Sequence, residues 1–408
     1  MKKNKPEIRF KGFEEEWKEM GANIIFRTYD DKNHPNLPVL SASQELGMVV
    51  RDNVGFKVQH NEDNEVGYKR VLPGQFVIHL RSFQGGFAHS SVEGITSPAY
   101  TVIEFRDTED QDDIYWKYVL TSKDFIKRLE TVTYGIRDGR SISFKDFSEL
   151  GFQIPPVEEQ RKIGKTLLFI DKLIHKLELK LEKLQNIKQS LLNQMFINVN
   201  GGGYAVPLIR FKNYNDNWQM IELANIAERV VRKNSNLEST LPLTISAQYG
   251  LIDQREFFNA RIASKDICGY YLIRNGEFAY NKSSSDGYPY GAIKRLDRYE
   301  KGVLSTLYIV FSLNSAIVQS DYIVAFYDTN YWHKEIVKRA AEGARNHGLL
   351  NISADDFFDT LLALPKDKEE QQAIGNYFIK VDELINKESE KLTKTRTMKQ
   401  SLLQKMFA

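Results

Sequence analysis

The sequence predicts an α+β chain built twice over: two similar mixed α/β domains, each leading into one long helix, with the two helices as partners. Three observations carry this. From Ile163, apolar residues return in alternating steps of four and three: Leu167, Ile170, Ile174, Leu177, Leu181, Leu184, then Leu191 and Met195, with Lys188 as the polar step. The same seam returns 211 positions later as Ile374, Phe378, Val381, Ile385, Leu392, Leu402 and Met406, with Glu388, Thr395 and Lys399 as its polar members. Identities outside the seam return with it. Lys188-Gln189-Ser190-Leu191-Leu192 recurs as Lys399-Gln400-Ser401-Leu402-Leu403, Ile163-Gly164 as Ile374-Gly375, and Met195-Phe196 as Met406-Phe407. Two unrelated coiled-coil helices would share a heptad but not these Lys, Gln and Ser residues.

Taken in order, the first domain is expected over residues 1–154. It opens on Pro6-Glu7-Ile8-Arg9-Phe10-Lys11-Gly12-Phe13 with Trp17 to follow. Phe76–Leu80 and Tyr100–Phe105 are short, β-branched and aromatic, which predicts strands. Asp112–Leu129 has helical spacing with a polar face, and Ser143 with Asp146 predicts a capped helix start. Ile154-Pro155-Pro156 leads into the first long helix, expected over 155–198, where Glu158 and Glu159 suit the positive end of the helix dipole. From Glu158 to Ile197 such a rod would span roughly 60 Å, and a stripe of that length needs a partner. Gly201-Gly202-Gly203 marks a flexible link at 199–204.

The second domain, expected over 205–364, repeats the frame. Pro207-Leu208-Ile209-Arg210-Phe211 and Trp218 follow their counterparts by 201 positions. Gly47 pairs with Gly250, Gly74-Gln75-Phe76 with Gly276-Glu277-Phe278, and Leu307–Phe311 takes the slot of the second strand. Asp321–Ala340 is predicted helical, and Ser353 with Asp356 repeats the cap. Leu364-Pro365 leads into the second helix, expected over 365–408. The halves agree at their edges and differ inside.

Composition bounds the function. Hydrophobic residues make up 42% and charged residues 27%, as in an ordinary soluble globular protein. No apolar run reaches membrane-spanning length, and the first residues lead into no signal region, so a cytoplasmic protein is expected. The single Cys268 excludes an internal disulfide and a cysteine-cluster metal site. A net charge of +2 neither argues for nucleic acid nor excludes it, because local patches decide.

No phosphate-cradling Gly-x-x-x-x-Gly-Lys or dinucleotide fingerprint occurs. The seven histidines contain no helical pair at metal spacing, and His175 reads as a solvated helix residue. Ile154-Pro155-Pro156-Val157 lacks the Asn and the aromatic of the Asn-Pro-Pro-aromatic loop of adenine methyltransferases, and reads as a stiff helix start. No catalytic or metal residues are therefore assigned. Four glycine-rich polar loops remain, at matching places in the duplicated frame. Their candidate DNA-binding residues are Arg81, Ser82 and Gln84; Tyr134, Arg137 and Arg140; Lys282, Ser283 and Ser284; and Arg345, Asn346 and His347. Arg and Lys can hold phosphates or guanine edges, and Gln and Asn can pair with adenine edges.

These residues together resemble the DNA specificity subunit of type I restriction-modification systems over nearly the whole length. The specific part is the edge pattern: Pro6 to Trp17 and Pro207 to Trp218, then Ile154-Pro155-Pro156 through Glu159-Gln160 to Ile163, and Leu364-Pro365 through Glu370-Gln371 to Ile374. The second exit departs, with Pro365-Lys366 in place of a double proline and one residue inserted. The resemblance implies target recognition domains, each reading one half of a bipartite, asymmetric site on double-stranded DNA. It implies antiparallel spacer helices in a pseudo-twofold arrangement. It also implies two methylation subunits acting on adenine with S-adenosylmethionine, and two restriction subunits driven by ATP, with Mg, so that this chain binds no cofactor. Two other readings stay open: a self-sufficient methyltransferase or nuclease, which would need a cofactor loop or metal-carboxylate set, and a coiled-coil scaffold with duplicated protein-binding domains.

Overall fold

A computed structural model of the chain describes residues 6–43, 46–51, 62–80, 82–132, 142–196, 206–246, 250–258, 266–285, 287–340 and 350–407. The chain divides into two compact units, Met1–Glu178 with Glu390–Ala408, and Leu179–Ser389. Two long helices, α1 (Val157–Met195) and α2 (Lys368–Lys405), each contribute one part to each unit. Among the described residues no helix is long and apolar enough to cross a membrane.

The first unit is built on an antiparallel sheet of β1 (Phe26–Tyr29), β2 (Phe76–Ile78), β3 (Ala88–His89) and β4 (Thr101–Phe105), in the order β1-β4-β2-β3. Alternation along the strands divides the side chains between two cores. Phe76, Ile78, Ile103 and Phe105 face the helices, packing with Trp116 and Phe147, while Val77 and Val102 face Leu40, Met48 and Val71. Burial on both faces explains why these strands read as unbroken apolar runs.

The second unit repeats the topology. Its sheet holds β5 (Ala227–Arg229), β6 (Phe278–Asn281), β7 (Ala292–Arg295) and β8 (Ile309–Leu313), in the order β5-β8-β6-β7. Phe278, Tyr280 and Phe311 face one core, Ala279 and Val310 the other. In each unit a strand just after the opening segment pairs antiparallel with the strand just before a long helix: Lys18–Gly21 with Gly151–Ile154, and Gln219–Glu222 with Leu361–Leu364. A hairpin also recurs, Leu40–Ser43 with Gly47–Val50 and Leu243–Ser246 with Gly250–Asp253. Gly47 and Gly250 open the return strands at φ of 77° and 74°, which side chains disfavour.

The helical stretches predicted as single elements are each broken. The first is Asp113–Val119 and Lys123–Val132. The Leu120 carbonyl accepts from the Phe87 amide (3.0 Å) and the Ser122 hydroxyl caps the second piece by accepting from Phe125 N (3.1 Å). The second is Ser320–Tyr327 and His333–Arg339, with Thr329 Oγ1 donating to Phe326 O (2.7 Å) at the break. Both predicted caps are full capping boxes, Ser143 with Asp146 and Ser353 with Asp356.

Each opening segment is fastened to the start of a long helix by one repeated device. Glu159 is fully buried and takes two hydrogen bonds from the Arg9 guanidinium (2.7 and 2.7 Å) and one from Trp17 Nε1 (3.3 Å). Glu370 takes the same three from Arg210 (2.6 and 2.8 Å) and Trp218 Nε1 (3.3 Å). The next residue repeats as well: Gln160 donates to Asp110 O and Pro155 O and accepts from Asp112 N, as Gln371 does with Ile317 O, Pro365 O and Gln319 N.

Within each unit the parts of α1 and α2 run antiparallel. In the first, Ile163 and Leu167 share a core with Met406, Asp171 pairs with Lys399 (2.5 Å) and Glu178 with Arg396 (2.6 Å). In the second, Lys180 pairs with the buried Glu388 (3.0 Å), Lys188 with Asp382 (2.6 Å), and Leu192 and Phe196 share a core with Ile374 and Phe378. Lys188 and Lys399 stand at equivalent repeat positions, as do Asp171 and Asp382, so one ion pair occurs twice with the helices exchanged. The seam is buried at Ile163, Leu167, Ile170, Ile374, Phe378 and Leu392, and half-buried at Ile174, Leu177, Leu181, Leu184, Leu191, Val381, Ile385 and Leu402.

The repeated Ile-Gly dipeptide has a steric cause. A Cβ on Gly164 would lie 2.8 Å from Tyr115 N, and one on Gly375 2.6 Å from Asp321 Cβ, because each long helix runs against the first turn of the helix at 113–119 or 320–327. Gly164→Ala and Gly375→Ala should therefore each destabilise their unit by about 1–3 kcal/mol through overpacking, against a gain of up to about 1 kcal/mol in helix propensity. Chemical denaturation checks this, and unchanged or raised midpoints would show that the contact relaxes freely.

Candidate nucleic-acid interface

The second unit brings the loop after β6 against the segment that enters the capped helix. β6 ends at Asn281, and the chain returns through Gly291, where Tyr280 Oη donates to Tyr290 O (2.9 Å) and ties the loop at its base. Tyr280 is fixed by stacking on Phe357, 4.9 Å between centroids, in the capped helix Ala354–Phe358. Beyond this anchor Ser283, Ser284 and Ser285 are exposed, as is Tyr288, whose backbone bridges to Ser285 in both directions. Lys282 joins the loop to the segment preceding the capped helix. Its carbonyl accepts from Leu350 N (3.0 Å) and its ammonium donates to Ile352 O (3.1 Å). Residues 341–349, with the candidates Arg345, Asn346 and His347, lie outside the described residues, but the chain re-emerges from them on Lys282.

Many described cations are matched to carboxylates: Arg27 to Glu104, Arg70 to Asp31 and Glu93, Arg232 to Glu277, Arg255 to Asp253, Arg295 to Asp297 and Asp321. Lys282 meets no carboxylate among the described residues. Burial, and then the charge of Arg229, push its ammonium pKa down. Arg229, at the end of β5, is exposed and likewise unpaired among the described residues. It was not legible as a site residue, because it lies 53 positions before Lys282 in a stretch with no loop signal.

In the first unit the loop after β2 is described from Ser82 onward. After β2 the chain forms a helical turn, Ser82–Gly85, which packs against the helix Lys123–Val132. That helix leads into residues 133–141, and Ile142 returns the chain to the core. Gln84 is exposed. Ser82 corrects its assignment as a DNA contact: it is fully buried, and its Oγ accepts from His79 N (2.8 Å), so it shapes the turn and offers nothing to a ligand. Arg81, Tyr134, Arg137 and Arg140 lie outside the described residues. An open cleft of about 610 Å³ elsewhere in this unit is lined by Glu104, Asp107, Glu109 and Asp113, besides Arg27 and Arg106, and its acidic wall is unsuited to phosphate. Among the described residues no group of three or more His, Cys, Asp and Glu is placed to hold a metal ion.

Residues 19–189 match the family model of the type I restriction modification DNA specificity domain. Among curated proteins, the chain is 24% identical over 136 residues to the type I restriction enzyme MjaVIII specificity subunit of Methanocaldococcus jannaschii, a match over 33% of this chain and 31% of that protein. The chain thus spans under a third of the length of the curated relative it matches. Among solved structures, its fold is similar to the type I restriction-modification system S subunit from M. genitalium, with a TM-score of 0.60 at 11% identity over 99% of each chain. It is also similar to a chain from a structure of type I R-M system assembly and conformational transition, with a TM-score of 0.50 at 12% identity over 97% of this chain and 98% of that one. These last two likenesses speak to fold alone, and they extend it across both halves. The specificity-domain match thus covers the first half of the chain as far as residue 189, and the likeness of fold runs through both halves.

Proposed function

We propose that this chain is the DNA-reading, non-catalytic subunit of a type I restriction-modification complex, each half reading one part of a bipartite, asymmetric site on double-stranded DNA. The observation that carries the reading is the repeated frame with unlike loops. In each half the chain just after the central strand β2 or β6 meets an element that precedes a Ser-capped helix, Ser82–Gly85 against Lys123–Val132 and Lys282 against Leu350 and Ile352, yet the loop sequences there differ: Gln84 with Arg137 and Arg140 in one, Lys282 to Ser284 with Arg345 to His347 in the other. Like scaffolds with unlike loops suit two readers of different sequences, and joining them makes the second binding event intramolecular. The long helices would set the spacer between half-sites and dock two methylation subunits, with S-adenosylmethionine on those subunits and ATP and Mg on two restriction subunits.

Exchanging residues 1–154 for the matching domain of a relative is the test. The methylated motif, mapped on genomic DNA from cells carrying the complex, should change in one half and keep the other half. A motif altered in both halves would rule out independent readers.

A further inference from the structure

The two halves close the same strand pair by different routes. Val77 pairs with Ala88 in the first half and Ala279 with Lys294 in the second, at equivalent places in the two sheets. Between these pairs the first half carries the helical turn Ser82–Gly85, and the second half carries a longer segment. That segment holds a tight hairpin. Ser285 N donates to Tyr288 O (3.2 Å), Tyr288 N donates to Ser285 O (2.9 Å), and Gly287 at the turn has a φ of 75°. The sheet itself does not require the hairpin, since the first half pairs the same strands without it.

The hairpin is fastened at its base on both limbs. On the outgoing limb Ser283 N donates to Asn281 Oδ1 (3.1 Å), and Lys282 is tied to Leu350 and Ile352 through its carbonyl and its ammonium. On the returning limb Tyr280 Oη donates to the Tyr290 carbonyl, and the Tyr290 ring packs on the His333 ring with 4.8 Å between centroids. Gly291 passes so close to Asn281 that a Cβ there would strike the Asn281 carbonyl. Beyond these ties the tip stands in solvent. Ser285 and Tyr288 exchange both backbone hydrogen bonds, so their side chains share one face of the hairpin. Both are exposed, Tyr288 by 38%, and its hydroxyl makes no hydrogen bond among the described residues.

An exposed tyrosine on a pinned turn has little freedom left to lose on binding. The major groove admits a two-stranded ribbon, where a phenol can bond a base edge and its ring can pack on a thymine methyl. We propose that Ser285 and Tyr288 form the tip of a preformed β-finger that enters the major groove of the half-site read by the second unit, with Tyr288 contacting a base. The proposal rests on the DNA-reading function above and names the element that reads in the second half.

The experiment uses the full-length chain in its complex, with the methylated motif mapped on genomic DNA from cells carrying it. Tyr288→Ala should relax one position in one half of the motif, cutting the preference for the right base there by about tenfold. That half should be the one kept when residues 1–154 are exchanged, and Ser285→Ala should act on the same half. Both side chains are exposed, so the melting temperature of each variant should match wild type. Methylation that falls evenly over all sites with the motif intact would make Tyr288 a phosphate contact and overturn base reading. A lowered melting temperature with the motif intact would make it a structural residue and overturn the finger. A wild-type motif at wild-type yield in Tyr288→Ala would overturn the finger too, and the DNA-reading function would still stand if the exchange of residues 1–154 alters one half. An exchange that leaves the whole motif unchanged would overturn both.

Discussion

Replacing Glu370 by Gln is expected to destabilise the second unit by about 3–5 kcal/mol, the range for removing one partner of a buried ion pair. The Glu370 carboxylate is 1% exposed and its partner Arg210 is 11% exposed, so neither charge can turn to water for compensation. Gln keeps the shape but removes the charge and one of the acceptors that Arg210 and Trp218 Nε1 share. The raised pKa of Arg210, caused first by its hydrogen bonds to Glu370, reflects the same coupling. On a unit of this size the loss amounts to a fall in melting temperature of roughly 6–20 °C. Glu159→Gln should do the same to the first unit, because Arg9 and Trp17 repeat the geometry. Thermal unfolding followed by circular dichroism, with a double-mutant cycle between Arg210→Ala and Glu370→Gln, measures the pair. A melting temperature within a degree of wild type, or a coupling near zero, would show that the pair is ornamental.

Asp328→Asn is the second large effect expected. Asp328 accepts from Lys188 (2.7 Å) on α1 and from Lys294 (2.8 Å) on β7, and Lys188 also reaches Asp382 (2.6 Å) on α2. One carboxylate thus ties a domain strand to the helix pair. Burial by itself would push its pKa up, but the ammoniums of Lys294 and Lys188 outweigh burial and hold it at about 2, from an ordinary 3.8. At Asp382 burial prevails over the ammoniums of Lys188 and, more weakly, Lys294, with the Asp328 charge adding to it, and the pKa is raised. The depressed pKa of Asp328 contributes about 2 kcal/mol of stability at neutral pH, present above its unfolded value and lost as pH falls through its folded one. Asp382 acts in the opposite sense: its contribution is full below its unfolded pKa and is lost as pH rises through its raised folded value. Asp328→Asn should therefore cost about 3 kcal/mol at pH 7, and its deficit against wild type should shrink between pH 4 and about 2. Denaturant titrations of both proteins across that range measure it. A deficit that stays constant with pH would mean that Asp328 acts through shape and not charge.

The sequence by itself determined the duplication, the fold class, the long helices and both capped helix starts. These are readable because they rest on local rules: a seven-residue repeat, a Ser three positions before an Asp, and identities returning at a fixed offset. It also located the edge residues Arg9, Trp17, Arg210 and Trp218, but only as a repeated pattern. Their reason is tertiary, since Glu159 and Glu370, which suit a helix start by dipole alone, serve as buried acceptors for residues 150 and 160 positions away. Gly164 and Gly375 are the same kind of case, signalled by identity and explained only by the helix each one touches. The candidate interface was the least legible. Ser82 has the chemistry of a contact, and the fold turns it inward to cap a turn. Arg229 has no loop signal, and only the pairing of β5, β8 and β6 sets it level with Phe311 and Phe278. Binding residues are chosen by where strands end in space, and that placement depends on long-range pairing that no local pattern encodes.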